Sequence, residues 1–591
     1  MSPIRGALPP HTPSGMASYS SATVSYAPGS VQRTTLGHRA MLLSWRCDPD
    51  ALRSLLPEPL EPAQAPGAAY LMVGETQALR SPELTRTMPV HLLGWTEARI
   101  LIPCRLGELE GAFAWVSYRT ADGDAGIEHG LYEGLLVKGA TFSLSFPFRG
   151  QPLNREIAAG SVARAIATRF DQRILDASFT AAVPAADAAR ASAFTRFERQ
   201  FGIRYMPDWG NPSGPPLVHD LVVWEPEELT VADAWSGEGR VRFDPSADDE
   251  LALLAPLEMG ESHYAHLTYR LGPGTCRRVH DYLAAPAASS APMGAERNGA
   301  SPPFSPSGRT AMAASTPMGT RPGQAGHMGI LTFFRVDRAN VESLLPPPLE
   351  PVADSDVVSL FLNQTQSGLN RHQPPGDDSL AFLADVSPHH MNWHEAFVKI
   401  PASLNGRRMY LFTFLHVDVD FKIVQGIYNG FVAKLARFRT LYPMEGHPGN
   451  EAMEPGRVAR AVVSRHDQRL ITLSFEAQAE CSADERTRIV PWENWTRNCG
   501  VRAFPDYARP GAPPLVHQLV LWDMQAGEYA RAWRGRAELA FGGSEYDELS
   551  LLAPLEMLES YFVHYQYRSR PGLLEVVHDY VADPIPGLFA P

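Results

Sequence analysis

The chain has 591 residues, 44% hydrophobic and 20% charged, an ordinary globular composition in a chain too long for one core, so two or more domains are expected. A net charge of −13 offers no broad basic face to nucleic acid or an anionic membrane, and no apolar run reaches the roughly 18 residues that span a bilayer. The five cysteines (Cys47, Cys104, Cys276, Cys481, Cys499) are odd in number and form no CxxC pair, which argues against a disulfide framework or a structural zinc site.

Residues 1–36 read as a flexible N-terminal tail. The tail lacks the continuous apolar core of a secretory signal, so a cytoplasmic location is expected. "DPDALRSLLP" (48–57) opens on an Asp cap and stops at proline, predicting a short helix with Ala51, Leu52 and Leu55 on one face. "RILIPCRL", "GAFAWVSYR", "ATFSLSFPF", "RILDASFTA" and "LVVW" follow as strands, rich in β-branched and aromatic residues between Gly, Pro, Asn and Asp. "AADAARASAFTRFERQFG" (185–202) predicts a second helix with Gly202 as its stop. Many strands and few helices predict a mainly β fold, an antiparallel sheet or barrel with helices packed on it.

The chain then repeats itself. "PPLVHDLVVW" (215–224) returns as "PPLVHQLVLW" (513–522), "LLAPLEM" (253–259) at 551–557 and "VHDY" (279–282) at 577–580, all offset by 298 residues. So long a period means duplication of a whole domain, not a solenoid. Between the copies, residues 286–326 are rich in Pro, Ser, Gly and Ala and cannot bury enough apolar surface to offset their ordering entropy, so a disordered linker is expected. The expected domains are 37–285 and 327–585, with 586–591 as a C-terminal tail. Two fused domains of one fold can pack as an intramolecular pseudo-dimer, and a homo-oligomer is compatible with the same reading.

Lysine is scarce. Of 52 basic residues four are lysine (Lys138, Lys399, Lys422, Lys434), and Lys138 lies in "GLYEGLLVKGATF" (130–142), which the second copy repeats as "GIYNGFVAKLARF" (426–438). A primary amine can act as a nucleophile once burial or a nearby cation lowers its pKa, whereas a guanidinium stays charged. The apolar flank Leu135, Leu136 and Val137 would desolvate an ammonium at Lys138.

Four segments in order resemble the acetoacetate decarboxylase family: "DPDALRSLLPEPLEP" (48–62), "WTEARILIP" (95–103) with its repeat "WHEAFVKIP" (393–401), the two lysine segments, and "LVHDLVVW…ADAWSGEGRVRF" (217–243) with its "HDYL" ending. The resemblance implies two tandem antiparallel β-cone or barrel domains, each with an enclosed pocket. It also implies a lysine that forms an imine with a keto substrate. Counting from Gly130 and Gly426 puts Lys138 and Lys434 on the family's nucleophile, whereas aligning "GFVAKLA" on its Gly-Phe and Leu-Ala puts Lys434 one step later, on a neighbouring lysine. In a strand that single step turns the side chain to the other face. The family's paired lysines are absent, since Gly139 follows Lys138 and Leu435 follows Lys434.

Glu97 and Glu395 match the family's acidic pocket residue and are expected to move protons on the α-carbon or to hold the substrate. Trp95 and Trp393, two residues earlier, and His394 are expected on the substrate side. The family's carboxylate-binding arginine falls near His38 and Arg39, where the second copy has His327 and Met328. These departures favour aldol-type condensation, dehydration or cyclisation of a small-molecule keto compound over decarboxylation of plain acetoacetate. Arg39 points to the first copy as the active one, while His390, His394, Asp418 and Asp420 could give the second its own chemistry. His219, His280, His517 and His578 lie beside apolar runs and read as structural. There is no P-loop, Rossmann fingerprint or GxSxG elbow, and no third metal ligand at diagnostic spacing, so no cofactor and no metal are expected.

Overall fold

In the computed structural model of the protein, the described residues run from 34 to 284 and from 323 to 585, apart from internal stretches of which the longest are 80–93, 147–156, 187–197 and 368–391. Most of the expected tail and linker, His390 and the middle of the second predicted helix lie outside them. The fold is mainly β. Each copy builds one 14-stranded sheet, and the first strands, Thr34–Arg46 and Gly323–Arg335, begin slightly ahead of the expected boundaries at 37 and 327.

Five strands of each sheet position the residues of interest. In the first copy Thr34–Arg46 pairs with Ala68–Leu79, which pairs with Gly94–Leu106 and then Leu109–Thr120, all antiparallel. Val137–Ser145 joins that last strand in parallel, with Ser117 opposite Val137 and Tyr118 opposite Lys138. In the second copy the same succession runs through Gly323–Arg335, Val357–Ser367, Asn392–Leu404, Arg407–Val417 and Ala433–Leu435.

Gly94–Leu106 is buried along most of its length, which is why "ARILIP" reads as a nearly continuous apolar run. Its two faces meet different cores. Ala98, Ile100 and Ile102 pack with Trp115 and Tyr118, while Leu101 joins a cluster that includes Val137, Tyr132 and Tyr428. This second cluster continues across both copies.

The first predicted helix forms over Pro49–Ser54, with the Asp48 carboxylate accepting from the amides of Asp50 (2.9 Å) and Ala51 (3.4 Å). Leu52 is its buried anchor. The second prediction fails at its end, because Gly202 lies inside the strand Gln200–Met206. Its missing side chain serves packing instead of stopping a helix: a Cβ there would stand 2.4 Å from the Gly134 carbonyl oxygen. Gly134 takes a left-handed φ of 78°, which glycine adopts without penalty, and turns the chain out of the helix Asp124–Glu133 into the Lys138 strand. Gly430 repeats the turn after the helix Phe421–Asn429, with φ 77°.

These two helices pack against each other where the copies meet. Tyr132 stands edge-on to Phe504 and Tyr507, ring centres 5.2 and 6.1 Å apart, and the Tyr428 hydroxyl donates to the Tyr205 carbonyl at 3.2 Å. The buried Arg204 bonds Asp220 of its own copy and Asp506 of the other (2.9 Å). The duplicated halves thus form the intramolecular pair that repetition predicted.

Candidate functional site

In the first copy the site is centred on Glu97. Its carboxylate accepts from Arg99 Nε (2.7 Å), Ser117 Oγ (2.7 Å) and Trp95 Nε1 (3.2 Å), and Arg119 lies 3.5 Å away. Burial would raise this carboxyl, but Arg119 and Arg99 outweigh it, with help from the Ser117 hydrogen bond, and hold the group well below the usual carboxylate range. Glu133, within the field of the same two arginines, moves the other way, because burial and the Glu97 charge raise it against them. His38 bonds Thr76 at 2.9 Å and stacks on Tyr269 at 5.0 Å. Burial first, with Arg99 and Arg119 adding and Glu97 opposing, brings the imidazole down to about 4, so it is neutral at pH 7.

The second copy keeps the frame and changes the cations. Glu395 accepts from Trp393 Nε1 (3.2 Å) and Thr365 Oγ1 (3.2 Å) and lies 3.4 Å from His327 Nδ1. His327 is within hydrogen-bond distance of Asn363 (3.0 Å) and Thr365 (2.8 Å). At the positions of Arg99 and Arg119 stand Phe397 and Val417. Positive charge is supplied instead by Lys399, where the first copy has Leu101, and by Lys422, where it has Gly126.

Lys399 lies in the strand Asn392–Leu404 with Nζ 5.5 and 5.6 Å from the ring centres of Phe397 and Phe412. Burial pushes its pKa well below the ordinary lysine value against the pull of Glu395. Lys422 lies in the first turn of the helix Phe421–Asn429, half-buried, with Nζ 4.0 Å from the Trp393 ring centre. Burial lowers it to about 8, again opposed by Glu395. Both ammonium groups also act on His327, which burial holds below its ordinary value.

The expected residues therefore divide. Glu97, Trp95 and His38 come together in the first copy, and Glu395 and Trp393 in the second. Lys138 and Lys434 do not join them. Lys138 is buried, shares its register pair and face with Tyr118, and has Nζ 6.0 Å from that ring. Val137 is the residue that shares a face with Ser117 and Glu97. Lys434 likewise pairs with His416, while Ala433 and Val417 hold the Glu395 face. Arg39 is on the opposite face from His38, in an ion pair with Glu75 and 5.9 Å from the Phe146 ring centre. His394 turns away from Glu395 to meet Asp418 (2.7 Å) and Phe438. Asp420 reaches into the first copy, where it binds Arg169.

Arg99, Arg119, Glu133, Lys399 and Lys422 were not singled out as site residues from the sequence. The scarcity of lysine was a signal for Lys399 and Lys422 as much as for Lys138. Among the described residues no group of three or more His, Cys, Asp or Glu side chains converges on a cation position. None of the described helices is long and apolar enough to cross a membrane.

The fold and paired sites define a tandem mainly-β protein in which each copy holds a glutamate hydrogen-bonded by a tryptophan two residues earlier. Residues 9–283 and 301–581 each match the acetoacetate decarboxylase family, and the chain belongs to that family. It is 26% identical over 241 residues to the acetoacetate decarboxylase of Clostridium beijerinckii, covering 40% of this chain and 85% of that one. It is 27% identical over 253 residues to the enzyme of the same name from Streptomyces nogalater, covering 41% and 86%. Among solved structures it is similar to an acetoacetate decarboxylase-like enzyme from Sphingomonas wittichii RW1, at 22% identity and TM-score 0.38, over 42% of this chain and 94% of that one. It is also similar to the enduracididine biosynthesis enzyme MppR, at 22% identity and TM-score 0.37, over 42% and 90%.

Proposed function

We propose that the chain is an enzyme that forms a Schiff base between Lys422 and a keto compound in the second copy, and uses that imine for aldol-type condensation, dehydration or cyclisation. The observation that carries this reading is the pair Lys422 and Glu395: an amine whose pKa is brought near 8 and a carboxylate, both touching Trp393. A lysine tuned toward neutrality offers a useful fraction of free amine without losing its basicity.

The neutral Nζ adds its lone pair to the keto carbon, forming a C–N bond as the carbonyl oxygen becomes a hydroxyl. Loss of that hydroxyl as water gives the iminium. Glu395 then takes a proton from the α-carbon, and the C–H electron pair moves into the iminium to give an enamine. The enamine carbon attacks a second carbonyl, whose oxygen takes that proton back from Glu395, or expels a β-hydroxyl that leaves as water with the same proton, and water finally hydrolyses the imine to return Lys422. A carboxylate fixed beside the amine suits removal of the α-proton, a step that needs a base where CO2 loss from an imine does not, which favours this course over simple decarboxylation. The first copy supports the second: its glutamate is saturated by two guanidinium groups and has no lysine on the same face.

Borohydride trapping with pyruvate, followed by peptide mass mapping, tests the reading. A reduced adduct on Lys422 is expected. An adduct on Lys399, Lys138 or Lys434 would move the nucleophile, and no adduct with any of several keto acids would end the Schiff-base proposal. Rapid CO2 release from acetoacetate would overturn the preference for condensation.

A further inference from the structure

The segment Arg169–Phe170 of the first copy reaches the edge of the second copy's site. Phe170 packs against a small apolar cluster made of Trp393, Val419 and Phe421. Trp393 is the residue whose ring lies under Lys422 and whose indole N–H donates to Glu395. Phe170 holds a left-handed φ of 48°, a conformation that costs an aromatic residue energy and persists only where the surroundings impose it.

The surroundings are visible. Arg169 grips Asp420 of the second copy through two hydrogen bonds, Nη1 to Oδ2 at 2.6 Å and Nη2 to Oδ1 at 3.1 Å, and its guanidinium carbon lies 4.5 Å from the Phe170 ring centre. The pair is nearly sealed from solvent, at 3% and 8% side-chain exposure. The same Asp420 oxygen accepts from the Gly139 amide at 2.9 Å. Asp420 occupies the N-cap position of the Lys422 helix, yet its side chain makes no cap hydrogen bond there. The carboxylate that would ordinarily cap its own helix is committed to the other copy.

We propose that the second copy's site is composite: Phe170 of the first copy is a specificity-determining wall of the Lys422 site, and Arg169 and Asp420 are positioning residues that fix the turn carrying Lys422 against it. The fusion of the two copies then has a catalytic consequence as well as a structural one. The ligand class follows from the wall, which is built from the aromatic cluster of Phe170, Trp393 and Phe421 and favours a keto compound with a flat or apolar substituent over pyruvate itself. This inference rests on the Lys422 reading given above, and its test separates the two.

The full chain and its Phe170→Ala, Phe170→Leu, Arg169→Lys and Asp420→Asn variants are labelled with acetic anhydride over a range of pH without substrate. Peptide mapping gives the midpoint and limiting rate for Lys422, with Lys434 as internal reference. In Phe170→Ala the limiting rate is expected to rise and the midpoint to move up by about one unit toward that of a solvated lysine, with Phe170→Leu between the two. Borohydride trapping with pyruvate and with phenylpyruvate is run in parallel. Asp420→Asn is expected to slow trapping by about tenfold to a hundredfold, the scale on which misplacing a reacting group by about 1 Å acts, and Arg169→Lys to slow it less. Phe170→Ala is expected to narrow the preference for phenylpyruvate. An unchanged labelling profile in both Phe170→Ala and Asp420→Asn overturns the composite site, whatever the trapping shows. If the wild-type chain traps nothing at Lys422, the functional reading falls and the labelling profile still decides the wall. General unfolding reveals itself as simultaneous labelling of Lys434, in which case the milder Phe170→Leu and Arg169→Lys variants decide.

Discussion

Lys138 faces Tyr118, and Val137 faces the helix glycine Gly130. The Lys138 Nζ lies 6.0 Å from the Tyr118 ring centre, whereas the Val137 side chain fills the space where a Cβ on Gly130 would come within 2.2 Å of it. Since Val137 pairs with Ser117 and Ser117 donates to Glu97, the lysine most prominent in the sequence and the glutamate two strands away stand on opposite faces of one sheet.

The first prediction follows from that register. A Lys138→Met/Lys434→Met double variant should trap pyruvate within about threefold of the wild-type rate, because both lysines stand on the opposite face of the sheet from the glutamates, paired with Tyr118 and His416. Lys422→Arg should trap none, since guanidinium remains protonated. Adduct yield by mass spectrometry after borohydride reduction measures both.

The pH dependence of the same reaction has a definite sign. Lys422 has its pKa lowered from 10.5 to about 8, so trapping at saturating pyruvate should rise with pH through about 8 and then level off. Stability moves with it. Between the folded and unfolded values the unfolded chain holds a proton the native chain lacks, so this lysine's penalty is full below about 8 and fades as pH rises toward 10.5. Lys422→Met should therefore stabilise the chain at pH 7, on the order of 2 kcal/mol once the lost ring contact and partial exposure are allowed for, and not at pH 10.5. Thermal unfolding of both proteins at the two pH values checks this.

The fold was legible because its signals are local and redundant. Asp48 before a short apolar stripe, and runs such as "GAFAWVSYR", specify a capped helix and buried strands without reference to distant residues, and the 298-residue repeat shows them twice. The site was only partly legible. Trp95, Glu97 and His38 could be placed because strand alternation carries 95 and 97 to one face. Lys138 could not be oriented, because the turn at Gly134 decides whether residue 137 or 138 meets that face. Lys422 was invisible as a site residue because it reaches Glu395 from a helix on another part of the chain, and Gly202 was misread because its partner, Gly134, lies far away in sequence.

The two glutamates should answer differently to the same substitution. Glu97→Gln leaves Arg99 and Arg119 buried without their carboxylate, at a cost of about 3 to 5 kcal/mol. Its depressed carboxyl pKa means that its stabilisation is fully present above the ordinary value of 4.5 and is lost as pH falls through the folded value. Hydrogen exchange across 94–120 should accelerate in the variant at neutral pH and in the wild type only in acid. Glu395→Gln should leave exchange near wild type, since Thr365, Trp393 and His327 can bond an amide, yet slow solvent deuterium uptake at the pyruvate methyl by about 10² to 10⁴, the range for loss of a general base. Equal effects of the two substitutions on deuterium uptake would contradict the assignment of chemistry to the second copy.

The interface should be lopsided despite its repeat symmetry. Arg204 is balanced by Asp220 and Asp506, but its counterpart Arg502 meets Gln518 where Arg204 has Asp220, and stands 3.8 Å from Asp208. Burial lowers the Arg502 guanidinium against the weaker pull of Asp208 and Asp579, whereas two bonded carboxylates raise that of Arg204 despite burial. Arg204→Met takes its guanidinium from buried Asp220 and leaves Asp506 with Arg509, and should cost about 3 to 5 kcal/mol, while Arg502→Met removes a poorly compensated charge and should cost little or stabilise. Gln518→Asp, which restores the first copy's arrangement, should raise the unfolding midpoint. With a protease site inserted near residue 300 and cleaved, the wild-type and Arg502→Met halves should remain together on size-exclusion chromatography, and the Arg204→Met halves should separate. Separation of the Arg502→Met halves instead would show that Asp208 is a stronger partner than its distance implies.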